Sequence, residues 1–314
     1  MKLIITEEMR YRKKVVEYAI KYNNNASAAR RYHTSRQNVQ RWRQRYDGSW
    51  ESLRNRSRRP HRHPNQHTSE ELMLIKKKYR RFKHEGLAEV YVQCRKEGYT
   101  RSYESMCRQI RVQKWNTSSV KPSVSNPKSR WRPDIVTYPG EKVQIDIKYV
   151  PHHCLLFDTK GKRYYQITAL DEYSRKRVCQ IVDEKSVTNT ALFLLDLAER
   201  FGFPIDCIQT DNGREFTNGP DEGARRSLFE EILNAKAIEH KKTRPYSPWQ
   251  NGKVERSHRL DDERFYNHRV FHSVEELIKA QDRYINRSNN VHRRVLNFLS
   301  PNEVVAQYYE RQSI

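Results

Sequence analysis

The 314-residue sequence is poor in cysteine, and the five it has exclude more than they supply. Cys94, Cys107, Cys154, Cys179 and Cys207 are odd in number, widely spaced and without a C-x-x-C pair, which argues against a disulfide framework and against a cysteine zinc site and fits a reducing compartment. Long apolar runs are missing too. No stretch approaches the roughly 20 apolar residues that span a bilayer, and the opening MKLIITEEMRYRKK has only a three-residue apolar run. Neither membrane insertion nor secretion is therefore expected. The twelve histidines, among them His61, His63, His152 and His153, lack the helical spacing of metal ligands and read as decoration of basic linkers and turns. Acidic side chains are outnumbered 61 to 38 by Lys and Arg, giving a net charge of +23. Such a balance favours a polyanionic partner, nucleic acid first, over a neutral metabolite.

That charge is unevenly placed. Residues 1–140 hold 33 basic and 12 acidic side chains, so +21 of the +23 lies there, and residues 141–314 are close to balance with 28 and 26. Two segments combine Pro, polar residues and basic charge with no apolar period, and they read as linkers: 47–68, containing RNRSRRPHRHP, and 116–140, with four of the twelve prolines. The expected organisation is a first helical domain at 1–46, a basic linker at 47–68, a second helical domain at 69–115, a Pro-rich linker at 116–140 and a larger domain at 141–314.

The first block predicts three short helices, about 8–22, 26–32 and 36–46, the pattern of helix-turn-helix. In the third, Val39, Trp42 and Tyr46 share one face and Ser35 is placed to cap, while Arg36, Gln37, Gln40, Arg41 and Gln44 lie elsewhere. Arg pairs with guanine and Gln with adenine in the major groove, so these five are the expected base-reading residues. The pattern repeats at 69–84, 87–97 and 102–113: Ser102 is the cap, Tyr103, Met106 and Ile110 form the inner stripe, and Arg108, Gln109 and Arg111 face out. Two such units joined by a basic strap are suited to successive major grooves of duplex DNA, with strap positions Ser57, Arg58, Arg59 and Arg62 along the minor groove or backbone between them.

The second half changes character. Alternation at 144–150, apolar runs at 164–170 and 178–182, a helix at about 187–201, and strands at 205–209 and 237–241 predict an α/β domain with a mixed sheet. Three acidic residues stand out. Asp146 is central in the strand VQIDIKY, and Asp211 ends a strand ahead of Asn212 and Gly213. Glu255 falls in a helix expected to start with Ser247 as cap, Pro248 first and Gln250 three after the cap, which sets it two turns in, on a face with Asn251 and Arg259. Gly252 inside that helix implies a close backbone approach. Two aspartates on strands and a glutamate on a helix can converge on hard divalent cations, and two such ions serve phosphodiester chemistry.

With those motifs on the page, the chain resembles the insertion-sequence transposases whose catalytic domain is similar to retroviral integrases. The resemblance rests on YPGEKVQIDIKYV, ALDEYSR at 169–175, QTDNGREFTN around Asp211, and TRPYSPWQNGKVERSHR around Glu255. It implies two all-α helix-turn-helix domains followed by an α/β ribonuclease-H-like catalytic domain. It also implies that Asp146, Asp211 and Glu255 are the catalytic, metal-binding triad, holding two Mg²⁺ ions per site with Mn²⁺ able to substitute. The reaction implied is strand cleavage at the ends of a mobile element and transfer of the 3′-hydroxyls to target DNA. The helical domains would bind the element's inverted repeats, and Asn251, Lys253 and Arg259 would lie near the DNA backbone. Joining two ends to one target needs a homodimer or larger assembly on DNA, in the cytoplasm and on the nucleoid of a bacterial host. The sequence departs from the integrase pattern in three ways. It places 43 residues between Asp211 and Glu255, more than usual, with Gly219–Arg226 as the candidate insertion; it has no His/His/Cys/Cys module; and its NNVHRRVLNFLSPNE follows the family's ending only loosely. Glu215, Asp171 and Glu172 read as structural. A catalytically silent DNA-binding protein of the same descent is the alternative, and a structure-selective nuclease a third reading; retention of all three acids argues against the silent binder.

Overall fold

The computed structural model describes residues 4–56, 65–116, 135–218, 225–245 and 247–313. The basic-strap positions 57–62 therefore lie outside the described residues, as do most of the Pro-rich linker and of the segment 219–226. The chain divides into two compact units, residues 1–66 and 67–314. Among the described residues no helix is long and apolar enough to cross a membrane.

The first unit is three helices, α1 (Glu7–Lys21), α2 (Asn25–Arg31) and α3 (Arg36–Arg45). Each starts on a side chain that satisfies an otherwise unpaired N–H: Thr6, Asn24 and Ser35 accept from Met9, Ser27 and Asn38. Val15, Ala19, Ala28, Ala29 and Val39 close the core, where the alanines allow near approach of the backbones. Arg36, Gln37, Gln40, Arg41 and Gln44 are all exposed, on the side of α3 away from Val39. Residues 47–56 fold back on this unit, with Leu53 fully buried and its carbonyl accepting from Arg12 at 2.9 Å.

The second unit opens with α4 (Ser69–Phe82), α5 (Leu87–Lys96) and α6 (Tyr103–Val112) around Ile75, Val90, Cys94, Met106 and Ile110. Ser102 caps α6 as expected, and Arg108 and Arg111 are exposed while Gln109 is half-buried. A five-stranded sheet follows, made of β1 (Val143–Tyr149), β2 (Tyr165–Asp171), β3 (Arg177–Val182), β4 (Cys207–Thr210) and β5 (Glu239–Lys242), in the order β3-β2-β1-β4-β5. The first three pair antiparallel; β4 and β5 join β1 in parallel. Helices α7 (Val187–Leu195), α8 (Leu197–Phe201) and α9 (Leu228–Ala235) supply the link to β4 and the crossover to β5. The alternation of β1 is what layers the domain. Val143 and Ile145 face a core with Phe193, Phe201, Phe216 and Phe229, and the polar face receives α10 (Gly252–Arg264). Gly140, ahead of β1, has φ +87° and lies so close to the Pro204 carbonyl that a Cβ would meet it at 1.9 Å. Only glycine fits there.

Two local expectations are corrected. The helix read at 187–201 is interrupted at Asp196, whose φ of −108° and ψ of 5° leave the helical region between α7 and α8. The helix carrying Glu255 starts at Gly252 rather than Pro248: residues Pro248–Asn251 form a 3₁₀ turn, Ser247 makes no side-chain cap, and the Gln250 side chain accepts from Arg244 N instead. Glu255 thus stands in the first turn of α10, and a Cβ on Gly252 would meet nothing within 4 Å, so close protein packing does not require that glycine.

Helices α11 (Val274–Asn289) and α12 (Pro301–Gln312) complete the unit and tie it to α4–α6. Glu89 on α5, 1 % exposed, accepts from His292 N at 2.8 Å and lies 2.7 Å from its Nδ1. Glu85 takes both ends of the Arg287 guanidinium at 2.7 Å, and Phe298 packs on Tyr91 and Tyr103.

Candidate active site

Strand pairing brings the two aspartates together. In the parallel register of β1 and β4, Gln144 lies opposite Gln209. Two residues further along each chain stand Asp146, within β1, and Asp211, directly after the last residue of β4. Asp146 Oδ1 accepts from Ile147 N at 2.9 Å and Asp211 Oδ1 from Gly213 N at 3.0 Å, which orients each group.

The glutamines bring in the glutamate. Gln144 Oε1 accepts from Val254 N at 3.0 Å, one residue before Glu255, while its Nε2 donates to the Gln250 carbonyl and to Glu172 at 2.9 Å. Gln209 Nε2 donates to the same carbonyl at 2.9 Å and to Asn251 Oδ1 at 2.8 Å. Gln144 therefore caps α10 in place of Ser247, and Gln209 holds the turn ahead of it. Farther along, Arg177 Nη1 donates to both Asp261 oxygens at 2.8 and 3.0 Å, and Gln166 donates to Asp261 at 2.9 Å. A buried pair this well bonded fixes the pitch of the helix against the sheet.

Burial, then the charges of Asp211 and Glu255, push the Asp146 carboxyl up to about 7 against the bond from Ile147, and burial also raises Glu255. Lys185, ion-paired with Glu215 at 2.7 Å, is the nearby cation; burial acts to lower it, but Glu215 and Asp211 hold it above its ordinary value. His258 Nδ1 is 3.5 Å from Asp146 Oδ2, and burial drives that imidazole down to about 4, leaving it neutral at pH 7. Among the described residues no three His, Cys, Asp or Glu side chains are drawn together as a finished metal site. Three like charges at this face repel until a cation offsets them. The donor set, carboxylate oxygens without thiol, has the chemistry of a hard divalent ion.

The remaining expected residues are placed as follows. Asn251 is buried on Gln209, and Lys253 is ion-paired with Glu172. Arg259 is exposed and pairs with Glu263 at 3.5 Å, not with Glu255. Glu172 is 4 % exposed among Gln144, Lys142 and Lys253, and Asp171 accepts from Gly140 and Ser174, so both acids are occupied in holding the loop around them. Gln144, Gln209 and Lys185 had no local signal in the sequence.

The acids make a pH prediction. Asp146, raised from 3.8 to about 7, binds more protons folded than unfolded between those values, so metal-free stability falls as pH rises through that window. Cation binding needs the group ionised, so the Mg²⁺-induced rise in melting temperature should grow between about pH 6 and about pH 8. Calorimetry with and without Mg²⁺ checks this; a rise independent of pH would contradict it.

Residues 136–248 and 236–295 each match an integrase core domain family, and residues 12–61 match a helix-turn-helix domain. Residues 136–295 thus carry an integrase core domain, preceded in the first unit by a helix-turn-helix domain. The chain is 30 % identical over 168 residues to a protein named as integrase ORF3 of Spiroplasma virus SpV1-C74, covering 51 % of this chain and 46 % of that one. It is 25 % identical over 186 residues, 59 % of this chain and 46 % of the other, to a protein named as a transposase for insertion sequence element IS5376 of Geobacillus stearothermophilus. The chain spans about half the length of the curated relatives it matches. Among solved structures it is similar to the catalytic core domain of BIV integrase (20 % identity, 56 % of this chain and 99 % of that one, TM-score 0.40). It is also similar to the HTLV-2 integrase catalytic core domain in complex with magnesium (16 %, 53 % and 97 %, TM-score 0.40).

Proposed function

We propose that the protein is a DNA transposase that binds the terminal inverted repeats of a mobile element, cleaves strands at its ends and transfers them to target DNA. One observation supports the reading: Gln144 and Gln209, opposite each other in β1 and β4 and each two residues before an aspartate, both bond the Gln250 carbonyl just ahead of the helix that bears Glu255. When bound, a pair of Mg²⁺ ions, or Mn²⁺ in their place, supplies activation of an attacking oxygen and stabilisation of a leaving one. Asp146, Asp211 and Glu255 would hold the ions, and the neutral His258 adds no positive charge beside Asp146 to compete with them. Arg36, Gln37, Gln40, Arg41 and Gln44 on α3, with Arg108, Gln109 and Arg111 on α6 and Arg58, Arg59 and Arg62 of the strap, would read and grip the ends. Asn251, Lys253 and Arg259 would border the strand at the carboxylates. Two helical DNA-binding domains, each with its linker, would precede the catalytic domain at 141–314, and the protein would act in the cytoplasm of a bacterial host.

The test is joining. A duplex ending in the element's own boundary sequence, incubated with target plasmid and Mn²⁺, should become covalently linked to the plasmid, within a complex containing two or more chains. A trapped complex with a single chain would overturn the assembly. The alternative is the catalytically silent DNA-binding protein of the same descent. Tight binding at the boundaries with no joining in Mg²⁺ or Mn²⁺ would select it.

A further inference from the structure

A second basic feature lies in the unit of residues 67–314, apart from the three carboxylates. A cavity of about 550 Å³ opens between the turn joining α4 to α5, helix α10, helix α11 and residues 291–295. Seven of its nineteen lining residues are arginines and one, Glu85, is acidic, already held by Arg287. Arg256, Arg264, Arg269 and Arg293 have no carboxylate partner among the described residues: Arg264 donates to the Glu85 carbonyl, Arg293 to Ser288, and Arg269 lies over the Phe265 ring. Arg177 also lines the cavity, and its Nε, buried in a side chain 2 % exposed, has no hydrogen-bond partner. Burial and the neighbouring Arg177, Arg264 and Arg175 push the Arg293 guanidinium down to about 9. Like charges gathered this way destabilise the fold unless an anion neutralises them.

The anion's chemistry follows from the donors. Guanidinium forks match phosphate oxygens bidentately, and Arg256 and Arg269 at the exposed rim leave the cavity open to an extended ligand. Its position selects between a free polyphosphate and a nucleic-acid strand. The wall formed by α10 begins at Arg256, the residue after Glu255, and runs to Arg264. At 1.5 Å and 100° per residue Arg264 stands about 14 Å along α10 and half a turn round it from Glu255, a path of about six nucleotides for a strand that follows the helix surface. We infer that the cavity binds backbone phosphates of DNA, on the strand that reaches the three carboxylates and within a few nucleotides of its reacting bond. The inference rests on the function proposed above.

The full-length double variant Arg256→Gln/Arg269→Gln tests it, compared with Arg283→Gln/Arg311→Gln, which removes two exposed arginines outside the cavity. Binding of a fluorescein-labelled duplex is followed by anisotropy across a salt series. Each phosphate contact contributes about 0.9 to the slope of log K against log salt, so the cavity variant should lose about 2 from it and the control nothing. Equal slopes in the two variants would overturn the inference. Tripolyphosphate that binds the wild type and not the cavity variant, with the DNA slope unchanged, would also overturn it and assign the cavity to free polyphosphate. The two readings fail separately: wild type that cuts no DNA in any metal, together with a lowered slope in the cavity variant, removes the proposed catalysis and keeps the phosphate site.

Discussion

Asp146→Asn should abolish metal-dependent strand cleavage and leave DNA affinity unchanged. Asparagine has the size of aspartate and its side-chain oxygen can still accept from Ile147 N, so the strand and its 2.9 Å bond persist. What disappears is charge at the point where β1 and β4 present their two carboxylates together. Cations at such a site contribute several kcal/mol to the transition state, and at about 1.4 kcal/mol per tenfold the loss is about 10³-fold or more. The exposed Arg and Gln residues of α3 and α6 are untouched, so anisotropy with element-end DNA should match wild type. Removing the mutual repulsion at Asp146 should also raise the melting temperature of the metal-free protein, since that carboxyl is held at about 7 by burial and by its neighbours. Cleavage within tenfold of wild type, or loss of binding together with cleavage, would count against the assignment of the two jobs to different residues.

Gln144→Leu should lower cleavage by about 10²-fold without touching an acid, because a misplacement of about 1 Å in a reacting constellation has that effect. Gln144 bonds the first turn of α10 at Val254 N and at the Gln250 carbonyl, and Leu fills the space while leaving those groups and Glu172 without it. Glu255 then loses its fixed distance from Asp146 and Asp211. Each buried group left unsatisfied destabilises by about 1–3 kcal/mol, so unfolding by urea should move in step. The distinguishing readout is the concentration of Mn²⁺ at half-maximal cleavage, which should rise in this variant while duplex affinity stays constant. Activity within twofold of wild type would show that the glutamine is not what positions the helix.

Capping side chains make several helix starts legible in the sequence, yet α9, which opens on the Ser227–Glu230 capping box, has no counterpart among the expected helices. Thr6, Asn24, Ser35 and Ser102 each mark a real N-terminus, and both three-helix patterns lie within a few residues of their expected positions. Strands β1 to β3 are equally plain from alternation and apolar runs. The acids announced themselves through motifs, but not through geometry, and the failure at Ser247 explains why. A capping sequence there is outcompeted by Gln144 and Gln209, which come from strands 106 and 41 residues away from Gln250, where they share a carbonyl. No local pattern encodes such a partner. For the same reason NNVHRRVLNFLSPNE gave no hint that His292 and Phe298 join the C-terminal helices to α5 and α6. The charge surplus of the first 140 residues drew attention away from arginines in the nearly neutral second half, where folding concentrates seven of them around one cavity.

The central claim is that three carboxylates brought together by the β1–β4 register and by α10 make a metal-dependent DNA-cutting centre. Incubating the wild type and Glu255→Gln with a supercoiled plasmid that carries the gene and its native flanking DNA, in Mg²⁺ and in Mn²⁺, tests it most directly. The account predicts metal-dependent cuts by the wild type at the element boundaries, ending in 3′-hydroxyls, and none by the variant. Boundary binding without cuts in either metal, or cuts that survive in Glu255→Gln, would contradict it.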